Sequence, residues 1–125
     1  MKGYRKKLGQ WGEELAENFF RKDGFKLVAK NWRAQGQKMI GEIDLICEKE
    51  KEIVFIEVKT RTTSAFGYGE GAVDWSKKEK IKKAINKFLF QNGKYQDYAP
   101  RFDILVVEIF SLTPQFVHFE NVELG

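Results

Sequence analysis

The chain has 125 residues, 42% apolar, 14% aromatic and 32% charged, and its 22 Lys and Arg outnumber its 18 Asp and Glu to give a net charge of +4. That length predicts one domain, 1–125, with a single buried core, and so aromatic a composition excludes a disordered polymer, because it can bury enough surface to offset the entropy of ordering. No apolar run approaches the roughly 20 residues of a bilayer span, which excludes a membrane protein, and the basic start Met1 to Lys7 has no apolar stretch behind it, so no secretory signal is expected and the cytoplasm is the expected setting.

Leu8, Trp11, Leu15 and Phe19 recur at helical spacing and predict a helix over 4–23, with Gly24 as its stop. A strand over 25–32 and a polar turn over 33–38 follow. Strands over 39–47 and 53–59 flank the charged run Glu48 to Glu52, and an antiparallel hairpin is their simplest connection. After Arg61 the chain reads as a loop in which Gly67, Gly69 and Gly71 alternate beside Phe66 and Tyr68. Ile81, Ala84, Ile85, Phe88 and Leu89 form the apolar stripe of a second helix over 76–91, with Gly93 just beyond it. An apolar run over 102–110, between Pro100 and Pro114, and a weaker segment over 116–122 complete two further strands. The order α-β-β-β-α-β-β predicts an α/β fold, a mixed β-sheet flanked by helices. There is no internal repeat or low-complexity segment.

Basic residues concentrate in the N-terminal arm (Lys2, Arg5, Lys6, Lys7) and along the second helix (Lys77, Lys78, Lys80, Lys82, Lys83, Lys87). Two readings stand side by side: solvated helix faces, or a surface that gains from counterion release on a polyanion.

A single cysteine, Cys47, excludes a disulfide framework and a cysteine-based zinc site, and a single histidine, His118, excludes multi-histidine metal clusters. Any metal must be held mainly by carboxylates, which selects Mg²⁺, Mn²⁺ or Ca²⁺. The informative residues are Asp44 and the run Glu57-Val58-Lys59. Strand alternation sends Glu57 and Lys59 to one face. Asp44 joins them if position 44 pairs with 57, 46 with 55 and 48 with 53, leaving Lys49 to Glu52 as a four-residue loop. A one-residue slip would send Asp44 to the other face. In that register two carboxylates and an ammonium converge, and the carboxylates repel unless a hard cation neutralises them. The bland alternative is a hairpin whose solvent face happens to be charged.

Asp44 followed by Glu57-Val58-Lys59 resembles the PD-(D/E)xK nuclease superfamily, with Ile43 where that pattern often has proline. More closely, the chain is similar to the YraN-type endonuclease-like family, relatives of archaeal Holliday junction resolvases. The similarity rests on Gly9-Gln10-Trp11-Gly12-Glu13, Asn31-Trp32-Arg33, Gly41 to Ile46, Phe55 to Arg61, Lys78 with Ile81, and Arg101-Phe102-Asp103, in that order. It implies a restriction-endonuclease-like core and hydrolysis of DNA phosphodiester bonds. Mg²⁺ or Mn²⁺ would be held by Asp44, Glu57 and the Val58 carbonyl, Lys59 would assist the attacking water, and Glu13 would complete the catalytic set. Helical projection gives Glu13 separate support, since it falls on the rim of the buried sector while Glu14 falls away from it. DNA would be gripped by Lys6, Lys7, Arg61, Lys77 and Lys78, and the junction-cutting relatives imply a homodimer. The loop Gly67 to Gly71 lacks a proline often found there, and Glu79 stands where glutamine is frequent.

Other candidates carry two readings each. Glu42 shares the Asp44 face and either contacts metal through water or occupies an open strand end. Thr60 and Arg61 either touch phosphate or are ordinary strand-end residues. Phe66 or Tyr68 either stack on a base or pack under their loop. His118, far in sequence from the acidic set, is expected to be structural, and because it is the only histidine, nucleophilic Ser or Cys schemes fail for want of a partnered base. The rival to an enzyme is a nucleic-acid-binding module that keeps the nuclease fold with little or no cleavage; a protein-interaction domain is a third.

Overall fold

Alternation along two central strands divides the core between two helices. In the computed structural model, which describes residues 2–34, 41–62, 75–110 and 112–125, the elements are α1 (Lys2–Lys22), β1 (Lys26–Trp32), β2 (Ile43–Lys49), β3 (Glu52–Arg61), α2 (Trp75–Gln91), β4 (Ala99–Glu108) and β5 (Gln115–Phe119). Val54 and Ile56 of β3, with Leu105 and Val107 of β4, pack with Ala16 and Phe20 of α1. Their neighbours Ile53, Phe55, Ile104 and Val106 pack with Ile81, Ala84 and Phe88 of α2. The helices therefore lie on opposite faces of one five-stranded sheet, ordered β1-β2-β3-β4-β5. Only β3 and β4 run parallel, joined through α2; the other pairs are antiparallel. This is the predicted mixed sheet flanked by helices. Among the described residues no helix is long and apolar enough to cross a membrane.

Local chemistry sets the element ends. Gly24 adopts φ +91 after α1. Its N–H donates to Arg21 O at 3.0 Å, and the Phe25 N–H donates to Phe20 O at 3.0 Å, the paired bonds of a Schellman stop. The accompanying apolar contact is the edge-on Phe20–Phe25 ring pair at 5.5 Å. The β2–β3 hairpin corrects one expectation. Its ladder runs on to Lys49↔Glu52, so the connection is the two-residue turn Glu50-Lys51 rather than four residues. Both residues have positive φ, 49 and 66, as the turn that matches strand twist demands.

Strand β4 starts earlier than predicted and contains Pro100. Its ladder with β5 covers only Ile104 to Glu108, so Pro100 lies where one side of β4 is an edge and a missing N–H costs little. β5 ends at Phe119, short of the predicted 122. Asn121 turns through φ +52 instead, and the Val122 N–H donates to Phe102 O at 2.7 Å.

Candidate functional site

The β2–β3 register is the one that joins Asp44 to Glu57: Glu48 pairs with Ile53, Ile46 with Phe55 and Leu45 with Ile56. The ladder stops there, one residue short of the two carboxylates. The Asp44 side chain takes up the ladder's open end, its Oδ2 accepting the Val58 N–H at 2.8 Å. Glu57 is 9% exposed, and Lys59, two residues on, is half-buried. Burial pushes the Asp44 carboxyl up to about 7, and the charge of Glu57 adds to it; the Val58 N–H opposes them, while Glu13 and Glu42 push in the same direction. Three carboxylates, from α1, β3 and the residues before β2, thus act on Asp44.

Glu13 arrives from α1 through a close helix–sheet approach. A Cβ on buried Gly12 would stand 2.1 Å from Thr60 Oγ1 and 3.2 Å from Thr60 Cβ, so only glycine lets α1 sit this near β3. Thr60, weighed as a phosphate contact, is therefore the residue on which α1 rests. Glu13 is half-buried and Glu14 exposed, as the helical projection implies. Burial raises the Glu13 carboxyl, a side-chain hydrogen bond with Asn31 lowers it, and the charges of Glu42 and Glu57 raise it again. Asn31 holds φ +50 inside β1, a left-handed conformation that Asn tolerates better than most residues and that recurs at functional sites. Sequence reading did not single it out for the site. An asparagine interrupting a strand is the trace it leaves.

The cations divide unexpectedly. Lys77, grouped with the DNA-gripping lysines, reaches inward: its Nζ donates to Glu57 Oε1 at 3.0 Å. Burial alone would lower the Lys77 ammonium, but the charge and hydrogen bond of Glu57 raise it. Lys59 is lowered, by burial first and then by the Lys77 charge. Lys78 is half-buried on the same turn of α2, and Arg61 lies at the end of β3 with an Nε that makes no hydrogen bond among the described residues. Lys6 is exposed, and Lys7 lines a cavity of about 560 Å³ with Leu8, Trp11, Thr62 and Ile109. Neither is brought to the carboxylates by any described contact. Glu42 pairs with Arg33 at 3.3 Å at the rim. Phe66, Tyr68 and the glycine-spaced loop lie outside the described residues.

His118 belongs elsewhere. Its Nε2 lies 2.7 Å from Oδ2 of the fully buried Asp103, which Arg101 also grips through Nε and Nη2 at 2.9 Å each. A cavity of about 690 Å³, lined by Leu15, Phe19, Phe116 and His118 among others, opens on this side, away from the carboxylate cluster. Size and chemistry point to different places, and converging like charge is the better mark of a site. Among the described residues no group of three Asp, Glu, His or Cys side chains is placed to hold a metal ion.

A small α/β protein with carboxylates and lysines gathered where its central hairpin opens is the class that fold and site define. Within that class the chain belongs to the uncharacterised protein family UPF0102, whose model matches residues 12–107, from Gly12 beside Glu13 to the end region of β4. It is 39% identical over 118 residues to a UPF0102 protein of Caldanaerobacter subterraneus subsp. tengcongensis, covering 94% of this chain and 90% of that one. A UPF0102 protein of Fusobacterium nucleatum is 44% identical over 100 residues, 80% of each chain. One of Carboxydothermus hydrogenoformans is 36% identical over 118 residues, covering 94% and 96%.

Proposed function

We propose that this protein is a divalent-metal-dependent nuclease that hydrolyses phosphodiester bonds in DNA, branched DNA included, with its site at the open end of the β2–β3 hairpin. The observation that carries this reading is the hairpin end that seats Asp44 on the Val58 N–H at 2.8 Å, beside buried Glu57; burial and the Glu57 charge push the Asp44 carboxyl up to about 7. A fold that gathers such charge without neutralising it fully has room for a cation. The donor set fits Mg²⁺ or Mn²⁺: hard oxygen ligands of net negative charge, two carboxylates, with the remaining positions left to water as Mg²⁺ prefers. Asp44, Glu57 and the Val58 carbonyl would hold the ion, which when bound polarises a phosphate oxygen and acidifies a water.

The chain's own residues do the rest. Lys59, lowered by burial and by Lys77, is suited to orient a water and to stabilise charge growing on the phosphate. Glu13, raised by burial, adds a carboxyl at the α1 side of the gap. Lys6, Lys7, Arg61 and Lys78 would meet the DNA backbone, which positions a duplex without reading its sequence. A homodimer, as the resemblance to junction-cutting enzymes implies, and a cytoplasmic setting are part of the same proposal.

The Lys77–Glu57 ion pair favours a second reading, a binding module that keeps the fold with its metal position occupied by lysine. Labelled duplex, single-stranded, flap and four-way-junction DNA, incubated with Mg²⁺ or Mn²⁺, separates the two. Cleavage that disappears in Lys59→Ala supports the nuclease. A junction shifted equally by both proteins, and cut by neither, supports the module.

A further inference from the structure

Lys77 breaks a local rule, and the contact it makes supplies the reason. The first turn of α2 contains no acidic residue yet carries Lys77 and Lys78, although the N-terminal end of a helix dipole disfavours cations. A rule broken locally calls for a compensating gain elsewhere. For Lys77 that gain is on β3. Its side chain is 41% exposed and that of Glu57 only 10%, so an ammonium on a solvated stem reaches down onto a buried carboxylate 3.0 Å away. Asp44 and Lys59 also act on it, which places the ammonium among the residues of the proposed metal site rather than on an outer helix face.

Building on the nuclease reading, we infer that Lys77 is the resident counter-cation of the Asp44–Glu57 pair, holding Glu57 until a divalent ion displaces it. The ammonium and the ion compete for the same charge. An ion seated between Asp44 and Glu57 would also stand within a few ångströms of the Lys77 charge, where two cations repel strongly in a partly buried setting. Loading therefore requires the Lys77–Glu57 bond to break, and the observed affinity for the ion is reduced by the strength of that bond. In return, the carboxylates are partly neutralised when no ion is present. Lys59 does not share this role: among the described residues it feels the Glu57 charge but makes no hydrogen bond to either carboxylate of the kind Lys77 makes.

Mn²⁺ titration calorimetry on the full chain tests this, comparing wild type with Lys77→Met, Lys77→Arg and Glu57→Gln. Methionine keeps an unbranched apolar stem and removes the charge; arginine keeps the charge. Breaking a charge-assisted hydrogen bond corresponds to about ten- to a hundredfold in affinity, so Lys77→Met should bind Mn²⁺ that much more tightly than wild type. Lys77→Arg should stay within about threefold of wild type, since it keeps the competing charge. Glu57→Gln should bind weakly or not at all. Thermal melts add a readout independent of activity: ion-free Lys77→Met should melt below wild type and gain more from saturating Mn²⁺. Lys77→Met binding Mn²⁺ no more tightly than wild type, with Glu57→Gln still defective, overturns the counter-cation while leaving the metal site standing. Absence of Mn²⁺ binding in both wild type and Lys77→Met overturns the metal site and the counter-cation together.

Discussion

Asp44 and Asp103 sit in one sheet, on the two strands that flank β3, and their surroundings drive them in opposite directions. Asp103 is fully buried, but it receives two hydrogen bonds from Arg101 and one from the Asn121 N–H at 3.0 Å, with His118 Nε2 at 2.7 Å. Burial alone would raise its carboxyl; these partners hold it below the usual range. Asp44 receives one backbone N–H and faces Glu57, Glu13 and Glu42, and it is pushed up to about 7. Burial of a carboxylate thus says nothing of its role. What differs is whether the fold itself supplies the positive charge. At Asp103 it does, and the cluster has nothing left to bind. At Asp44 the nearby lysines, Lys77 on Glu57 and Lys59 beside it, do not offset burial and the neighbouring carboxylates.

The strongest way to break this comparison is Asp103→Ala. Removing it leaves half-buried Arg101 with Glu52 as its remaining ion pair among the described residues and takes away the partner of His118; loss of one member of a buried pair costs about 3–5 kcal/mol, and the lower end applies here. Urea denaturation should show that loss with Mn²⁺ affinity unchanged per folded molecule; a loss below about 1 kcal/mol would mean that Asp103 is not structural. Gly12→Ala comes next. The new methyl would overlap Thr60, so despite the better helix propensity of alanine the variant should lose about 1–3 kcal/mol. A stabilised Gly12→Ala would contradict the close approach that delivers Glu13.

Asp44→Asn should move stability the other way. It keeps an oxygen for the Val58 N–H and removes a charge that the fold tolerates poorly. A gain of roughly 1–2 kcal/mol at neutral pH is expected, allowing for solvent screening. The sign has a pH signature. Because the folded Asp44 holds its proton more tightly than the unfolded chain, this group makes the protein less stable as pH rises from about 4 to about 7. Asp103 has the reverse sign: its contribution is present above the ordinary carboxylate range and is lost as pH falls through its lowered value. Ion-free wild type should therefore lose stability over the upper window, and Asp44→Asn should lose less, the raised Glu13 carboxyl still contributing with the same sign.

The smallest effect concerns lysines that belong to neither cluster. Lys6→Ala with Lys7→Ala should weaken DNA binding about equally for all sequences and reduce the salt dependence by a slope of about 2. A sequence-selective loss would place these side chains at base edges.

Much of this was legible in the chain. Alternation in Ile43 to Ile46 and Phe55 to Lys59, with the charged run between, offered the register that brings Asp44 to Glu57 as a condition, and the ladder adopts it. The turn was not legible, because Glu50-Lys51 lacks the Asn-Gly chemistry that usually announces a left-handed pair. The rim position of Glu13 followed from helical geometry alone. Lys77 did not: in a run of lysines, composition cannot tell which stem reaches a carboxylate fixed by another element. Asn31 and the Gly12–Thr60 contact were hidden for the same reason, since both depend on how α1 settles on the sheet. The Arg101–Asp103 grip was hidden inside an apolar strand; His118, read as structural, lies against the same Asp103.

A carboxyl-detected NMR titration that follows Asp44 and Asp103 in one sample, without and with saturating Mg²⁺, is the most direct measurement. Asp44 should titrate near 7 without the ion and fall to the ordinary carboxylate range or below with it, while Asp103 stays low in both. An Asp44 that titrates like an exposed aspartate and ignores Mg²⁺ would contradict the claim that this end of the hairpin is a cation site.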